Sequence, residues 1–204
     1  MITLENIKRV CDWNAARYPQ EVSPALQRAL LLEEIDETIV AIEAYDDSVA
    51  SLVEILDGCG DITFVAIGGL WKHGLTPERI YTLVNHVGFA SLPSIRWANR
   101  REELLTYLKA RRSTYASLPY DMVFNLLVLH VVSHAMPIGT AYAVDEVLGI
   151  VCTSNETKTV KRTASDVKAN VDKGQGFVPP TEALTDWVTY TMRTLYDVEE
   201  LLNI

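Results

Sequence analysis

The sequence predicts an all-α protein built as a helical bundle, and three observations support this fold class. Alternation of apolar and polar residues over more than five positions, which is typical of strands, is absent. Apolar residues instead recur with helical spacing over long segments. Helix starts are marked by Ser23-Pro24, Thr76-Pro77 and Thr181, and His73-Gly74 is a typical helix end.

Taken in order, the elements begin with an amphipathic helix and continue with helices that start at capping residues or prolines. Helices are predicted over residues 4–17, 24–45, 48–72, 77–86, 93–112, 120–136, 140–151 and 181–202. Residues 153–180 are rich in Ser, Thr, Asn, Gly and Pro and are predicted to be irregular. With 204 residues the chain, 1–204, is predicted to be one domain.

Composition restricts the classes of function. The net charge of −9 argues against a protein that binds nucleic acid through its backbone, since such proteins are normally basic. The longest apolar run, Val123–Met136, is too short and too polar to span a bilayer, and we detect no secretory signal. Three unclustered cysteines indicate free thiols in a reducing compartment, so we expect a cytoplasmic protein, in the host cytoplasm if it is viral.

Two acidic clusters lie on neighbouring predicted helices and are the strongest functional signal. They contain Glu33, Glu34 and Glu37 in the first helix, and Glu54, Asp57 and Asp61 in the second. Spacings of three and four put Glu34 and Glu37 on one face of the first helix, and Glu54, Asp57 and Asp61 on one face of the second. These five carboxylates can converge if the helices pair antiparallel. The alternative is a solvated charged surface, but the flanking residues are mostly Leu, Ile and Val. No Lys or Arg lies between Arg28 and Lys72, so we favour a site for two or three Mg²⁺ or Mn²⁺ ions.

Two further features bear on this site. Gly58 and Gly60 lie between predicted ligands and indicate a close approach, either by a bound ligand or by another helix packed tightly. Some aromatic residues are candidates for stacking on a base, although core packing is the alternative for each. They are Trp71, Tyr81, Trp97 and Tyr115.

Residues 156–173 contain five basic and three acidic side chains in an otherwise acidic protein. A basic loop that includes Lys158 and Lys173 suits closure over a triphosphate, while an ordinary solvated loop is the alternative.

The acidic pattern resembles that of the MazG-like all-α nucleoside triphosphate pyrophosphohydrolases. It reads Glu33-Glu34-x-x-Glu37, a gap of sixteen residues, then Glu54-x-x-Asp57 and Asp61-Ile-Thr-Phe. Ser154-Asn155-Glu156-Thr157-Lys158 and the segment from Lys173 to Pro180 are similar to motifs of the phage-type branch, which overlaps phosphoribosyl-ATP pyrophosphohydrolase-like proteins. The resemblance covers residues 25–75 and about 140–180, and residues 76–138 look like a helical insertion.

The resemblance implies an all-α bundle of this type, usually a homodimer or a dimer of dimers (a homotetramer). It implies hydrolysis of a nucleoside triphosphate to the monophosphate and pyrophosphate. The metal ligands it implies are Glu34, Glu37, Asp57 and Asp61, with Glu33 and Glu54 as additional ligands or bases. Asn155 and Lys158 would face the phosphates, joined by Lys173 of the basic loop. A carboxylate that is not fully committed to metal can take a proton from water, and Glu34 and Glu37 are both candidates.

Three functions remain open at this point. The first is a metal-dependent (deoxy)nucleotide pyrophosphohydrolase that shapes a nucleotide pool. For this function dGTP is the favoured substrate on the resemblance, viral DNA synthesis is a plausible setting, and dUTP and dCTP remain open. The second is a non-catalytic helical assembly protein on the same scaffold. The third is an enzyme acting on phosphoribosyl-ATP.

Overall fold

In the computed structural model the described residues, which are 1–21, 23–86, 97–117, 122–135, 143–161 and 170–202, form a helical bundle. The eight helices in this part of the chain are α1 (Leu4–Ala15), α2 (Pro24–Glu43), α3 (Val49–Lys72), α4 (Pro77–His86), α5 (Trp97–Ser117), α6 (Met122–Ala135), α7 (Ala143–Glu156) and α8 (Thr181–Leu202). Two strands of three residues each, β1 (Thr159–Lys161) and β2 (Asn170–Asp172), pair antiparallel. The all-α prediction is therefore confirmed, with one short hairpin inside the segment predicted to be irregular.

Helix α3 is the centre of the bundle. It packs against α1, α2, α4, α6, α7 and α8, and most of its side chains are buried. Its ends follow the sequence signals: the Ser48 hydroxyl accepts a hydrogen bond from the Ser51 amide, and Gly74, after the helix, has a φ of 85°. Because α3 is covered by helices on nearly every side, any polar residue on it must face either a partner or a cavity.

Several predicted helix ends are shifted by a few residues. Helix α7 continues to Glu156, beyond the predicted end at residue 151, because the last turn packs against α1. There the indole Nε1 of Trp13 donates a hydrogen bond to the Asn155 carbonyl at 2.8 Å and satisfies one of the open carbonyls of the helix end. Asn155 therefore lies on a helix and not in an irregular segment.

The segment proposed as an insertion contributes to the bundle. Helix α4 packs on α1 and α3, α5 packs on α2 and α6, and α6 packs on α3. Whether residues 76–138 are an insertion stays a prediction. Cys11, Cys59 and Cys152 are buried free thiols, as expected. In the part of the chain that the structure describes, no helix combines the length and hydropathy needed to cross a membrane.

Candidate active site

The predicted acidic residues lie along the contact between α2 and α3. The two helices are joined by a short turn and run antiparallel, since Thr38 contacts Gly58 while Gln27, earlier in α2, donates a hydrogen bond to the Val65 carbonyl, later in α3. A Cβ at position 58 would collide with Thr38 Oγ1 and lie 3.1 Å from Thr38 Cβ. Glycine at this position therefore lets the two helices approach closely, which decides the question left open by the sequence in favour of helix packing.

Gly60 serves a second helix contact. A Cβ there would lie 2.5 Å from Val151 Cγ2 and 3.1 Å from Val147 Cγ1, so this face of α3 lies directly against α7. The close packing on both sides fixes the rotation of α3. In this orientation Asp61 lies between α2 and the end of α7, where it lines a cavity together with Glu34 and Asn155.

The six predicted acids differ in exposure. Glu34, Asp57 and Asp61 are half-buried, whereas Glu33, Glu37 and Glu54 are exposed at the rim. Their charges act on one another across the two helices. Asp61 and Glu37 both raise the pKa of Glu34, and Asp61 and Glu54 both raise that of Asp57. The structure therefore brings these carboxylates into one electrostatic cluster.

Burial is the largest cause of the pKa shifts in this cluster, and repulsion between carboxylates adds to it. Together they raise the pKa of Glu34 to about 8 and that of Asp57 to about 7. Burial likewise raises the pKa of Asp61 to about 6, where Lys158 opposes the shift. A cluster of half-buried carboxylates that resists ionisation favours binding of a cation, because the cation offsets both costs.

Other acids on α2 are paired and do not join the cluster. Arg112 of α5 donates to both carboxylate oxygens of Asp36, at 2.8 and 2.9 Å, and Lys109 of α5 pairs with Glu43. The four ion pairs given by the described residues do not include Glu34, Glu37, Glu54, Asp57 or Asp61. Asp36 and Glu43 are therefore neutralised by side chains of α5, and neither is a candidate for the functional cluster.

Two lysines approach the cluster from the C-terminal part of the chain. Lys158 follows α7 and Lys173 follows β2, and both lower the pKa of Asp57 and Asp61. Both ammonium groups also lie over the ring of Phe177, at 5.8 Å for Lys158 and 5.2 Å for Lys173. Both lysines, although distant in sequence, thus contact the same aromatic ring near the acids.

A cavity of about 240 Å³ opens beside the cluster. Glu33, Glu34 and Asp61 line its acidic end together with Asn155 and Lys158. Asn155 is 4% exposed, so its amide is a buried polar group at the cavity wall. The predicted residues Glu37, Glu54, Asp57 and Lys173 lie outside the lining.

The remainder of the cavity is aromatic and apolar. Trp13 and Phe64 meet edge to face with ring centroids 5.2 Å apart, and Tyr18 lies 6.0 Å from Trp13. Leu26, Leu30 and Val65 complete this part of the wall. Flat apolar walls next to a charged mouth suit a molecule that has a ring at one end and anionic groups at the other.

Sequence reasoning missed these aromatic residues. Of the four proposed for stacking, Trp71 is 8% exposed in the core and Tyr81 is exposed on α4, and neither lines the cavity. The side chains of the other two, Trp97 and Tyr115, lie outside those described. Phe64 could have been found because it stands three positions after Asp61 on the same face of α3.

The donor set fits Mg²⁺ or Mn²⁺. All side chains in the cluster offer hard carboxylate oxygens, and the buried Oδ1 of Asp57 has no hydrogen-bond partner among the described residues. Within the same residues, no group of three His, Cys, Asp or Glu side chains is arranged closely enough to hold one ion. Mg²⁺ usually keeps several waters and uses one or two carboxylates, so convergence of three on one ion is not required.

Comparison with known proteins gives one family. Residues 7–86, from α1 to the end of α4, match the model of phosphoribosyl-ATP pyrophosphohydrolase. The match contains all six acids and the aromatic residues of the cavity, whereas Asn155, Lys158 and Lys173 lie beyond it. Searches of curated proteins and of solved structures found no match. Residues 7–86 are therefore a phosphoribosyl-ATP pyrophosphohydrolase-like domain, of the superfamily that includes the MazG-like nucleoside triphosphate pyrophosphohydrolases.

Proposed function

We propose that this protein hydrolyses a nucleoside triphosphate to the monophosphate and pyrophosphate, in a reaction that requires Mg²⁺ or Mn²⁺. The observation that carries the proposal is the meeting of the acidic cluster, Lys158 and an aromatic cavity at one place. The family of residues 7–86 supports pyrophosphohydrolase chemistry in general. The nucleoside would enter the cavity with its phosphates directed toward the acids and lysines.

The acids divide into metal ligands and candidates for the general base. Two or three ions would be held by Glu34, Glu37, Glu54, Asp57 and Asp61. Bound there, Mg²⁺ or Mn²⁺ would neutralise phosphate charge and activate a coordinated water. Glu33, Glu34 and Glu37 are the candidates that would accept a proton from that water. Glu33 and Glu34 have the more direct access because they line the cavity.

The basic residues would bind the phosphates. Lys158 lines the cavity at its acidic end, and Lys173 shares the Phe177 ring with it. The buried amide of Asn155 can donate to a phosphate oxygen from the same side. These groups would orient the triphosphate and balance its charge, which is the main task of the protein in this chemistry.

The substrate we favour is dGTP, and the biological role we favour is control of a nucleotide pool, with phage DNA synthesis as the setting. This choice extends the resemblance of the sequence to the phage-type branch. Phosphoribosyl-ATP is the second candidate substrate, since it is named by the family that matches residues 7–86. We expect a homodimer or homotetramer, which light scattering coupled to size exclusion would measure.

The test is release of pyrophosphate from a panel of ribo- and deoxyribonucleoside triphosphates and phosphoribosyl-ATP, each with Mg²⁺ or Mn²⁺. Asp61→Asn should lower kcat/KM by about 100-fold, the loss typical when one electrostatic contact to a transition state is removed. Asp36→Asn is the matched control, because Asp36 pairs with Arg112 away from the cluster, and it should retain activity. If the wild type releases no pyrophosphate from any substrate, the non-catalytic assembly protein becomes the better explanation.

A further inference from the structure

A lysine lies at the end of the cavity remote from the acids. Lys72 is the last residue of α3, eleven positions after Asp61, which is about 16 Å along a helix axis. It lines the cavity and is half-buried, with Nζ 4.8 Å from the centre of the Tyr18 ring. None of the ion pairs given by the described residues uses it. Among the described residues, Lys72 is therefore a cation inside the cavity without a carboxylate partner, and it lies about three helical turns from Asp61.

The hydrogen bonds of Lys72 leave donors available. Gln27 Nε2 donates to the Val65 carbonyl at 3.0 Å, and a carbonyl can only accept, so this bond fixes the orientation of the Gln27 amide. Gln27 Oε1 then accepts from Lys72 Nζ at 3.1 Å. An ammonium group has three N–H donors, and this bond uses one of them. Gln27 thus holds the lysine in place while at least one donor can face the cavity.

An acceptor lies one helical turn away. Asn14 is 4% exposed and lines the cavity, and its Nδ2 donates to the Val10 carbonyl at 2.9 Å, which fixes the amide orientation in the same way. Asn14 packs against Gly68, where a Cβ would come within 2.9 Å of Nδ2 and 3.3 Å of Oδ1. Gly68 precedes Lys72 by four positions and so shares its face of α3. The cavity therefore offers a hydrogen-bond donor, Lys72 Nζ, and an acceptor, Asn14 Oδ1. Asn14 lies against the turn of α3 that precedes Lys72.

We propose that Lys72 and Asn14 select nucleobases that carry a ring carbonyl next to a ring N–H, namely guanine, hypoxanthine, uracil and thymine. This inference rests on the proposed function and names the substrate class of the same cavity. The carbonyl of such a base accepts from Lys72, and the neighbouring N–H donates to Asn14.

Adenine and cytosine present the opposite pattern. Their exocyclic amino group is a donor and would meet the donor of Lys72, while the adjacent ring nitrogen is an acceptor and would meet Asn14 Oδ1. An N–H of Lys72 and the Oδ1 of Asn14 would then both lack a partner inside the cavity, and discrimination of this kind is strong because polar groups are buried without a hydrogen bond. The aromatic walls contribute equally to either class of base, since every base has a stacking face.

The experiment uses pairs of substrates that differ only in this edge. They are dGTP against the triphosphate of 2,6-diaminopurine deoxyriboside, dITP against dATP, and dUTP against dCTP. In the wild type, kcat/KM should favour the carbonyl member of at least one pair by roughly ten-fold or more, the effect of one hydrogen bond to a charged group. Lys72→Met should bring that ratio close to one, mainly by raising KM for the carbonyl member. Lys109→Met is the control, because Lys109 lies on α5 and pairs with Glu43 of α2, and it should leave the ratio unchanged.

Binding of the corresponding monophosphates, measured by calorimetry, separates this inference from the proposed function. Selective binding that is lost in Lys72→Met supports the cavity assignment even if no triphosphate is hydrolysed. Hydrolysis without a preference for the carbonyl members, or with an unchanged ratio in Lys72→Met, overturns the inference and leaves the hydrolase standing. Absence of both binding and hydrolysis in the wild type overturns both.

Discussion

Replacing Asp61 by asparagine should stabilise the metal-free protein at pH 8 while removing most of the stabilisation that Mg²⁺ gives. Burial raises the pKa of Asp61 to about 6, above its value in the unfolded chain. The folded protein therefore binds this proton more tightly than the unfolded chain does. Its stability falls as the pH rises through the interval between the two pKa values, and it stays reduced above that interval. An uncharged asparagine has no such pH dependence.

The size of the effect follows from the shift. An unperturbed aspartate has a pKa of about 3.9, so a rise to about 6 corresponds to about 3 kcal/mol of lost stability at pH 8. The asparagine amide brings its own hydrogen-bonding groups into a half-buried position, and leaving them unpaired costs about 1–2 kcal/mol. The expected net gain is about 1–2 kcal/mol, which raises Tm by about 2–8 °C for a chain of this size.

The assay is thermal unfolding in EDTA at pH 4 and pH 8, followed by the same measurement at pH 8 with saturating Mg²⁺. At pH 4 the stabilisation by Asp61→Asn should disappear, since Asp61 is then protonated in the folded wild type. With Mg²⁺ the wild type should gain about 3 kcal/mol at a hundred-fold excess over Kd, and the variant should gain much less. Asp36→Asn is the control, and we expect it to change the stability in the opposite direction. Arg112 lowers the pKa of Asp36, so this variant should lose up to about 1 kcal/mol at pH 8.

A decrease in Tm for Asp61→Asn of equal size at pH 4 and pH 8 would refute the reasoning, because it would show that the pKa of Asp61 is not raised in the folded protein. An equal gain from Mg²⁺ in the variant and in the wild type would show that the cation binds elsewhere. The variant thus tests the electrostatic cluster and its predicted ligand separately.

The remaining predictions concern packing and the phosphate-binding residues. Gly58→Ala should destabilise the protein by about 1–3 kcal/mol in urea denaturation, and the loss should be smaller when it is made in a Thr38→Ala background, because the colliding Oγ1 is then gone. Lys158→Ala and Lys173→Ala should each weaken kcat/KM for the triphosphate roughly ten-fold, and unchanged KM and turnover in both would exclude them from phosphate binding. Phe177→Leu should raise KM about three- to ten-fold with little change in kcat, since it removes only the ring that holds both ammonium groups.

The helices and the acidic cluster could be predicted because their signals are local. Capping residues mark where the helices begin, and spacings of three and four place Asp57 and Asp61 on one face whatever the tertiary structure is. The local sequence was a weaker guide to which of the acids have basic partners. The bases that neutralise Asp36 and Glu43 come from α5, more than sixty residues away, and only the structure shows that they leave Asp57 and Asp61 aside.

The aromatic end of the cavity could not be predicted in this way. Trp13 reaches the cavity because its indole is anchored on the Asn155 carbonyl, a contact across 142 residues that no periodicity encodes. Tyr18 and Lys72 meet only because the loop after α1 folds over the end of α3, where the Gln20 amide donates to the Trp71 carbonyl at 3.0 Å. Such contacts depend on how the helices are arranged, and similar aromatic residues elsewhere in the chain are simply core.

One face of α3 links these observations. It carries Asp57 and Asp61 in its middle, Phe64 and Gly68 further along, and Lys72 at its end, at successive steps of three or four residues. Burying a charged side chain of this face without a partner destabilises the protein by roughly several kilocalories per mole. A nucleotide with its cations would relieve the cost at both ends, because cations would meet the acids and a base carbonyl would meet the lysine. The polar stripe on an otherwise buried helix is therefore better explained by a ligand that spans it than by the stability of the fold.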